Sequence, residues 1–316
     1  MRSNLALPTY DSPKAFFALA PPMINRLYLL VEGNGDHKFW AANRRTGGNK
    51  RVTILPVNGR DGITGNPDKN VEGLPEFFEE FSRLEGRSEE QVRKQIIGIY
   101  DDDYEQILNP NNEGDPNVFS TSPPNNLEAL IFDIWAKEGY PSIFFNRSMW
   151  SMQKKNVSKA LGIARSVGIL RAASSKNGWR LKFREKQTGI QSWLKAGVEN
   201  YTEPRWVEQA LIPKLMKKQN KNVRGGVSVN TVVMGYKEML KHCEATPTLS
   251  LVNGHDLCML VQLTNDGSPD YWIMEKELHL SQRWSNISKK TRGKIDLFQR
   301  LDHWSNDNES RMFKWQ

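Results

Sequence analysis

With 38% hydrophobic and 10% aromatic residues, this 316-residue chain has material for a large apolar core, which excludes wholesale disorder and any need for disulfide or metal staples. Its 44 Lys and Arg outnumber 36 Asp and Glu, and the net charge of +8 suits a polyanionic partner such as nucleic acid. No segment approaches the roughly 20 apolar residues of a membrane helix, and Cys243 and Cys258 form neither a zinc spacing nor a secreted framework, so the expectation is a cytoplasmic protein with reduced thiols and no membrane partner.

In chain order, the N-terminal segment (1–24) contains the apolar stretch Ala15–Ala20, which stops at Pro21-Pro22 and lacks the cleavage pattern of a signal peptide. The run Leu27–Val31 predicts a buried strand, closed by the Gly-bearing turn Glu32-Gly33-Asn34-Gly35-Asp36. A short helix follows over His37–Asn43 and a second strand over Val52–Val57. Leu74, Phe77, Phe78, Phe81 and Leu84 have helical spacing, and Arg87–Lys94 continues as polar helix. A third strand covers Gln95–Tyr100 and ends on Asp101-Asp102-Asp103. After a Pro/Asn/Gly loop, Asn117–Ser120 reads as a fourth strand, and a helix starts at Asn126–Phe132. Strands alternating with helices predict an α/β fold, a parallel sheet flanked by helices, over residues 25–140.

Residues 141–280 read as a mostly helical, basic region closing on that core. Helical patterns cover Lys159–Leu170, Trp206–Lys218, Thr231–His242 and Asp256–Leu263, and Trp179–Phe183 alternates like a strand. Lys217–Gly226 reads as a loop. The tail (281–316) has scattered Trp and basic residues, and its sequence assigns no structure.

Three acidic residues fall at the C-terminal ends of predicted strands: Glu32 after the first, Asp101 and Asp103 after the third. That edge of an open α/β sheet is where ligands bind. If the segment is extended, Asp101 and Asp103 face one side and Asp102 the other. Clustered carboxylates call for a hard cation, Mg²⁺ or Mn²⁺, able to activate water and stabilise a phosphoryl transition state. Taken singly, an Asp triplet is a turn cluster and Glu-Gly-x-x-Asp an ordinary strand-to-helix turn; their order and placement make them a candidate site.

This arrangement resembles the toprim domain, in which a Glu follows the first strand and an Asp-x-Asp the third; the matching residues are Val31-Glu32-Gly33-Asn34-Gly35-Asp36 and Ile99-Tyr100-Asp101-Asp102-Asp103. Asn125-Asn126-Leu127-Glu128-Ala129-Leu130 and Val252-Asn253-Gly254-His255-Asp256-Leu257 resemble later motifs of OLD-related toprim effectors in phage defence, the AriB type that partners the ATPase AriA in PARIS systems. The resemblance spans residues 25–265. It implies that Glu32 stands nearest the chemistry, that Asp101 and Asp103 hold the metal, and that Glu128 completes the shell. Glu128 is equally explained by the helix macrodipole. Asp36 reads as a helix cap before a ligand, and His255 as a turn residue before a phosphate contact or acid.

Arg60 offers planar donors to a phosphate from the same sheet edge. Lys154, Lys155, Arg180, Lys182, Lys217, Lys218, Lys221 and Arg224 are candidates to track a nucleic-acid backbone, and Trp150 and Trp179 read as core before base-stacking platforms. The resemblance implies a metal-dependent endoribonuclease acting on host tRNA, restrained by an ATPase partner and dimerising on release. The alternatives are an OLD-type DNA nickase or DNase using the same carboxylates, and a catalytically silent binding or scaffold module. A topoisomerase would need a nucleophilic Tyr on a separate domain, and a primase a preceding zinc module; neither is apparent in the sequence.

Overall fold

The apolar run at residues 27–31 becomes strand β1 (Arg26–Val31), buried at every position but its first, as a parallel strand covered on both faces must be. In the computed structural model it lies inside a four-stranded sheet of order β2-β1-β3-β4, with β2 at Arg51–Pro56, β3 at Ile96–Tyr100 and β4 at Val118–Ser120, all parallel. The structure describes residues 25–57, 88–110, 114–138, 147–179, 204–219, 227–263 and 287–314, with Val71, Leu74, Phe78, Leu181 and Phe183. Val31 is the register partner of Pro56 on β2 and of Ile99 on β3, so the residues following β1 and β3 emerge at one edge.

Side chains alternate across the sheet. Tyr28, Leu30, Leu55 and Ile96 gather with Leu74, Phe78 and Val92 in one apolar cluster. Leu27, Leu29 and Val31 point the other way and are also buried. Val71, Leu74 and Phe78 are helical, in keeping with the predicted helix, of which the rest lies outside the described residues. Helix α1 (Asn34–Asn43) begins three residues earlier than its sequence suggests, because the Asp36 carboxylate accepts the Gly33 N–H at 2.8 Å and draws the glycine turn into its first turn. Helix α2 (Glu89–Arg93) starts at Ser88, whose hydroxyl accepts the Gln91 N–H.

The chain forms two compact units: Met1–Asp102 with Asn112–Ser122 and Glu277–Gln316, and Asp103–Asn111 with Pro123–Lys276. The sequence-based segments 25–140 and 141–280 divide the chain elsewhere. In the second unit are α3 (Glu105–Leu108), α4 (Leu127–Glu138) and α5 (Arg147–Lys176). Then come α6 (Pro204–Trp206), a π-helical turn (Val207–Leu211), α7 (Ile212–Gln219), α8 (Val229–His242), α9 (Thr248–Leu251) and α10 (Gly254–Leu263). Helix α5 is far longer than the pattern at Lys159–Leu170 indicates, and α8, α9 and α10 pack along it. Its face of Ala160, Ile163, Ala164, Val167 and Leu170 centres the apolar core of this unit.

Trp179, Leu181 and Phe183 are buried, yet none is in the strand that their sequence predicts; the Leu181 N–H instead meets the Ser174 hydroxyl. Trp179 is therefore a core residue. Cys243 is a buried free thiol whose pKa burial pushes up.

The tail adds α11 (Lys289–Arg292) and α12 (Asp296–Asp307) to the first unit. Phe298 of α12 and Phe313 meet the ring of Trp40 on α1, with centroids 6.4 and 5.4 Å away. Arg300 donates to the carbonyls of Ser120, the last residue of β4, and Ser122, just beyond it. No helix of the described residues is long and apolar enough to cross a membrane.

Candidate functional site

Strand order puts a topological switch point between β1 and β3: the chain leaves β1 toward β2 on one side and returns to β3 on the other. The crevice at the C-terminal ends of two such strands is the preferred ligand position of open α/β sheets. Glu32 follows β1 and Asp101 follows β3, both partly exposed. The Glu32 Oε1 accepts the backbone N–H of Asp101 at 3.2 Å, bringing this carboxylate to the end of β3. Asp102 is turned inward, 3% exposed, and its N–H donates to the Thr121 hydroxyl.

Asp36 lies beside this edge as the residue that caps α1. His37, next to it, is held below the usual imidazole range by burial first and by Arg44 and Lys38 second, which favours its neutral form. Arg60 falls outside the described residues.

Asp103 and Tyr104 belong to the second unit. Their φ angles of +40° and +77° are left-handed, so the chain is not extended through the acidic triplet and period two does not determine where Asp103 points. Asn125 holds this unusual backbone: its carbonyl accepts the Asp103 N–H at 3.1 Å and its side-chain Oδ1 the Tyr104 N–H at 2.7 Å. Strain of this kind persists only where the surroundings over-determine it.

The same unit brings together two motifs that lie far apart in sequence. Asn126 Oδ1 accepts the N–H groups of both Ala129 and Gly254, joining the first turns of α4 and α10. Glu128, 5% exposed, has its Oε1 3.6 Å from His255 Nε2. Asn253 caps α10 by accepting the Asp256 N–H, and Asp256 receives a two-point ion pair from Arg171 of α5 at 2.7 and 2.9 Å. Burial opposes the charge of Arg171, but Asp256, then Tyr104 and Asp103, outweigh it and hold the guanidinium above its usual range.

Sequence reasoning missed Arg171, and it singled out Asn125 and Asn126 as part of a motif without their locking role. The available signal for Arg171 was a charge set between Leu170 and Ala172 in an otherwise apolar stretch of helix. Of the proposed backbone-tracking residues, Lys217 is exposed on α7. Lys218 lies on α7, and Lys154, Lys155 and Trp150 on α5, where only the backbone is described; Arg180, Lys182, Lys221 and Arg224 fall outside the described residues.

Among the described residues, no three His, Cys, Asp or Glu side chains gather closely enough to hold one ion. Mg²⁺ does not require three, because it is commonly held by one or two carboxylates plus water and substrate phosphates. Glu32 and Asp101 are hard oxygen donors of that kind. No protein-family model, curated protein or solved structure matches the chain.

Proposed function

We propose that the chain is a Mg²⁺-dependent nuclease of the toprim type, and more specifically an endoribonuclease that cleaves tRNA as an anti-phage effector. The observation that carries this reading is the meeting of Glu32 with the backbone of Asp101 at the switch-point edge of a parallel sheet. Glu32 and Asp101 would hold the ion, and a bound Mg²⁺ would supply electrostatic stabilisation of the phosphoryl transition state; Asp103 and Glu128 enter the ligand set only through the motif resemblance. Glu32 orients the attacking water and takes its proton, and the backbone N–H of Asp101 aligns that carboxylate. The tRNA substrate, the ATPase partner of the AriA type and pairing of released copies rest on the motif resemblance.

The test is cleavage by the purified full chain with Mg²⁺, on total tRNA and on plasmid DNA, beside Glu32→Gln and Glu32→Ala. Loss of the water-activating group should lower the rate by about 10²–10⁴-fold while the fold persists. Cleavage of plasmid alone would move the protein to the OLD-type DNA nickases. Equal cleavage by the variants, or none by the native chain on either substrate, would overturn the reading.

A further inference from the structure

We propose that the first unit carries a separate site for a phosphate ester at the opposite, N-terminal edge of the sheet. A cavity of about 570 Å³ opens there, between the loop preceding β2 and the end of α12, with Leu27 near the start of β1 in its wall. Its size falls within the range of about 300–1,000 Å³ typical of small-ligand sites. This site does not depend on the nuclease reading.

Three cations line the cavity: Arg45 and Lys50 from the loop, and Arg311 from the segment after α12. Among the described residues none of them has an ion-pair partner. Glu309 is the single carboxylate in the lining, so cations outnumber it three to one. Like charges gathered around a polar hollow repel one another until an anion enters. A phosphate group answers that arrangement, since each guanidinium can reach two of its oxygens and an ammonium a third. Asn49 and Asn306 add amide donors, and Glu309 can accept from a hydroxyl on the same ligand.

The walls are set before any ligand arrives. The Arg45 N–H donates to the Met312 carbonyl at 2.8 Å, the Lys314 N–H to Asn43 at 2.9 Å, and Arg44 bridges Phe313. Between Arg45 and Lys50, Gly48 has a φ of +119°, which only glycine adopts without strain, and a Cβ there would lie 3.5 Å from Arg45 Nε. The loop is thus bent so that its cations and the Arg311 segment border one hollow. A nucleotide and the terminal phosphate of an RNA strand share this chemistry.

Titration calorimetry of the full chain, without Mg²⁺, with inorganic pyrophosphate, ATP and a 5′-phosphorylated RNA oligonucleotide tests the site. The Arg45→Gln/Arg311→Gln double variant, checked for native folding by circular dichroism, should bind about tenfold or more weakly, the loss expected of two charge-assisted contacts. Glu309→Gln should bind pyrophosphate at least as tightly as the native chain. Loss confined to pyrophosphate and ATP supports a free nucleotide as the source, and loss confined to the oligonucleotide supports a strand end. Absence of binding by all three probes at millimolar concentration, or equal binding by the double variant, overturns the proposal. Cleavage by Glu32→Gln has no bearing on either result.

Discussion

Arg171 shows how one residue can anchor the first turn of another helix. Its guanidinium lies 4.3 Å above the ring of Phe183 and grips both oxygens of Asp256, the residue following His255. Both partners are largely withdrawn from solvent, so removing one leaves the other charge uncompensated. Asp256→Ala should therefore lower the stability of the chain by about 3–5 kcal/mol in urea unfolding. An apolar double replacement, Arg171→Met with Asp256→Leu, should recover most of that loss because neither charge then remains. A full loss in the double variant would show that packing rather than charge is what matters. Glu32 and Asp101 were legible in the sequence because an acid at a strand end is a local pattern; Arg171 was not, because its partner lies 85 residues away.

At the scale of elements, α4 and α10 meet at their first turns, and the contact tolerates only glycine at residue 254. A Cβ there would lie 2.3 Å from the Glu128 Cβ and 2.5 Å from the Ala129 nitrogen. Gly254→Ala must push these turns apart, at about 1–3 kcal/mol or more by the measure of overpacked cores, and should displace Glu128 from His255. Thermal unfolding reports the first effect and, if the proposed function holds, tRNA cleavage the second; unchanged thermal unfolding would mean that the turns separate freely. The start of α4 was readable from Asn-Asn-Leu-Glu, whose Asn side chains favour caps; α10 begins at Gly254, two residues before the expected Asp256, because Asn253 caps it. Their meeting was not readable, since a capping pattern says where a helix begins and nothing about its neighbour.

At the scale of the whole molecule, the first unit is closed by residues from both halves of the chain. Trp40 and Phe298 are fully buried and meet edge to face, so α12 completes the packing of α1. Phe298→Ala should cost about 3–5 kcal/mol, the range for a fully buried aromatic, read as a lowered urea midpoint for the unit containing the sheet. A midpoint unchanged from the native chain would mean that α12 adds nothing to that core. Leu297, Phe298, Leu301 and Trp304 have helical spacing that sequence reasoning missed; what the tail could not show in isolation is the surface that this face meets, which exists only once α1 has formed.

The sequence by itself determined the four strands of the sheet, most of the helices and the acids at the ends of β1 and β3, because hydrophobic period and turn chemistry act over a few residues; the same period misread Trp179–Phe183 as a strand. Tertiary structure decided the parallel order β2-β1-β3-β4, the left-handed break at Asp103, the Arg171–Asp256 pair and the basic hollow completed by Arg311. These depend on which distant surfaces satisfy one another's buried apolar area, hydrogen bonds and charge, a matching that no local stretch of chain contains.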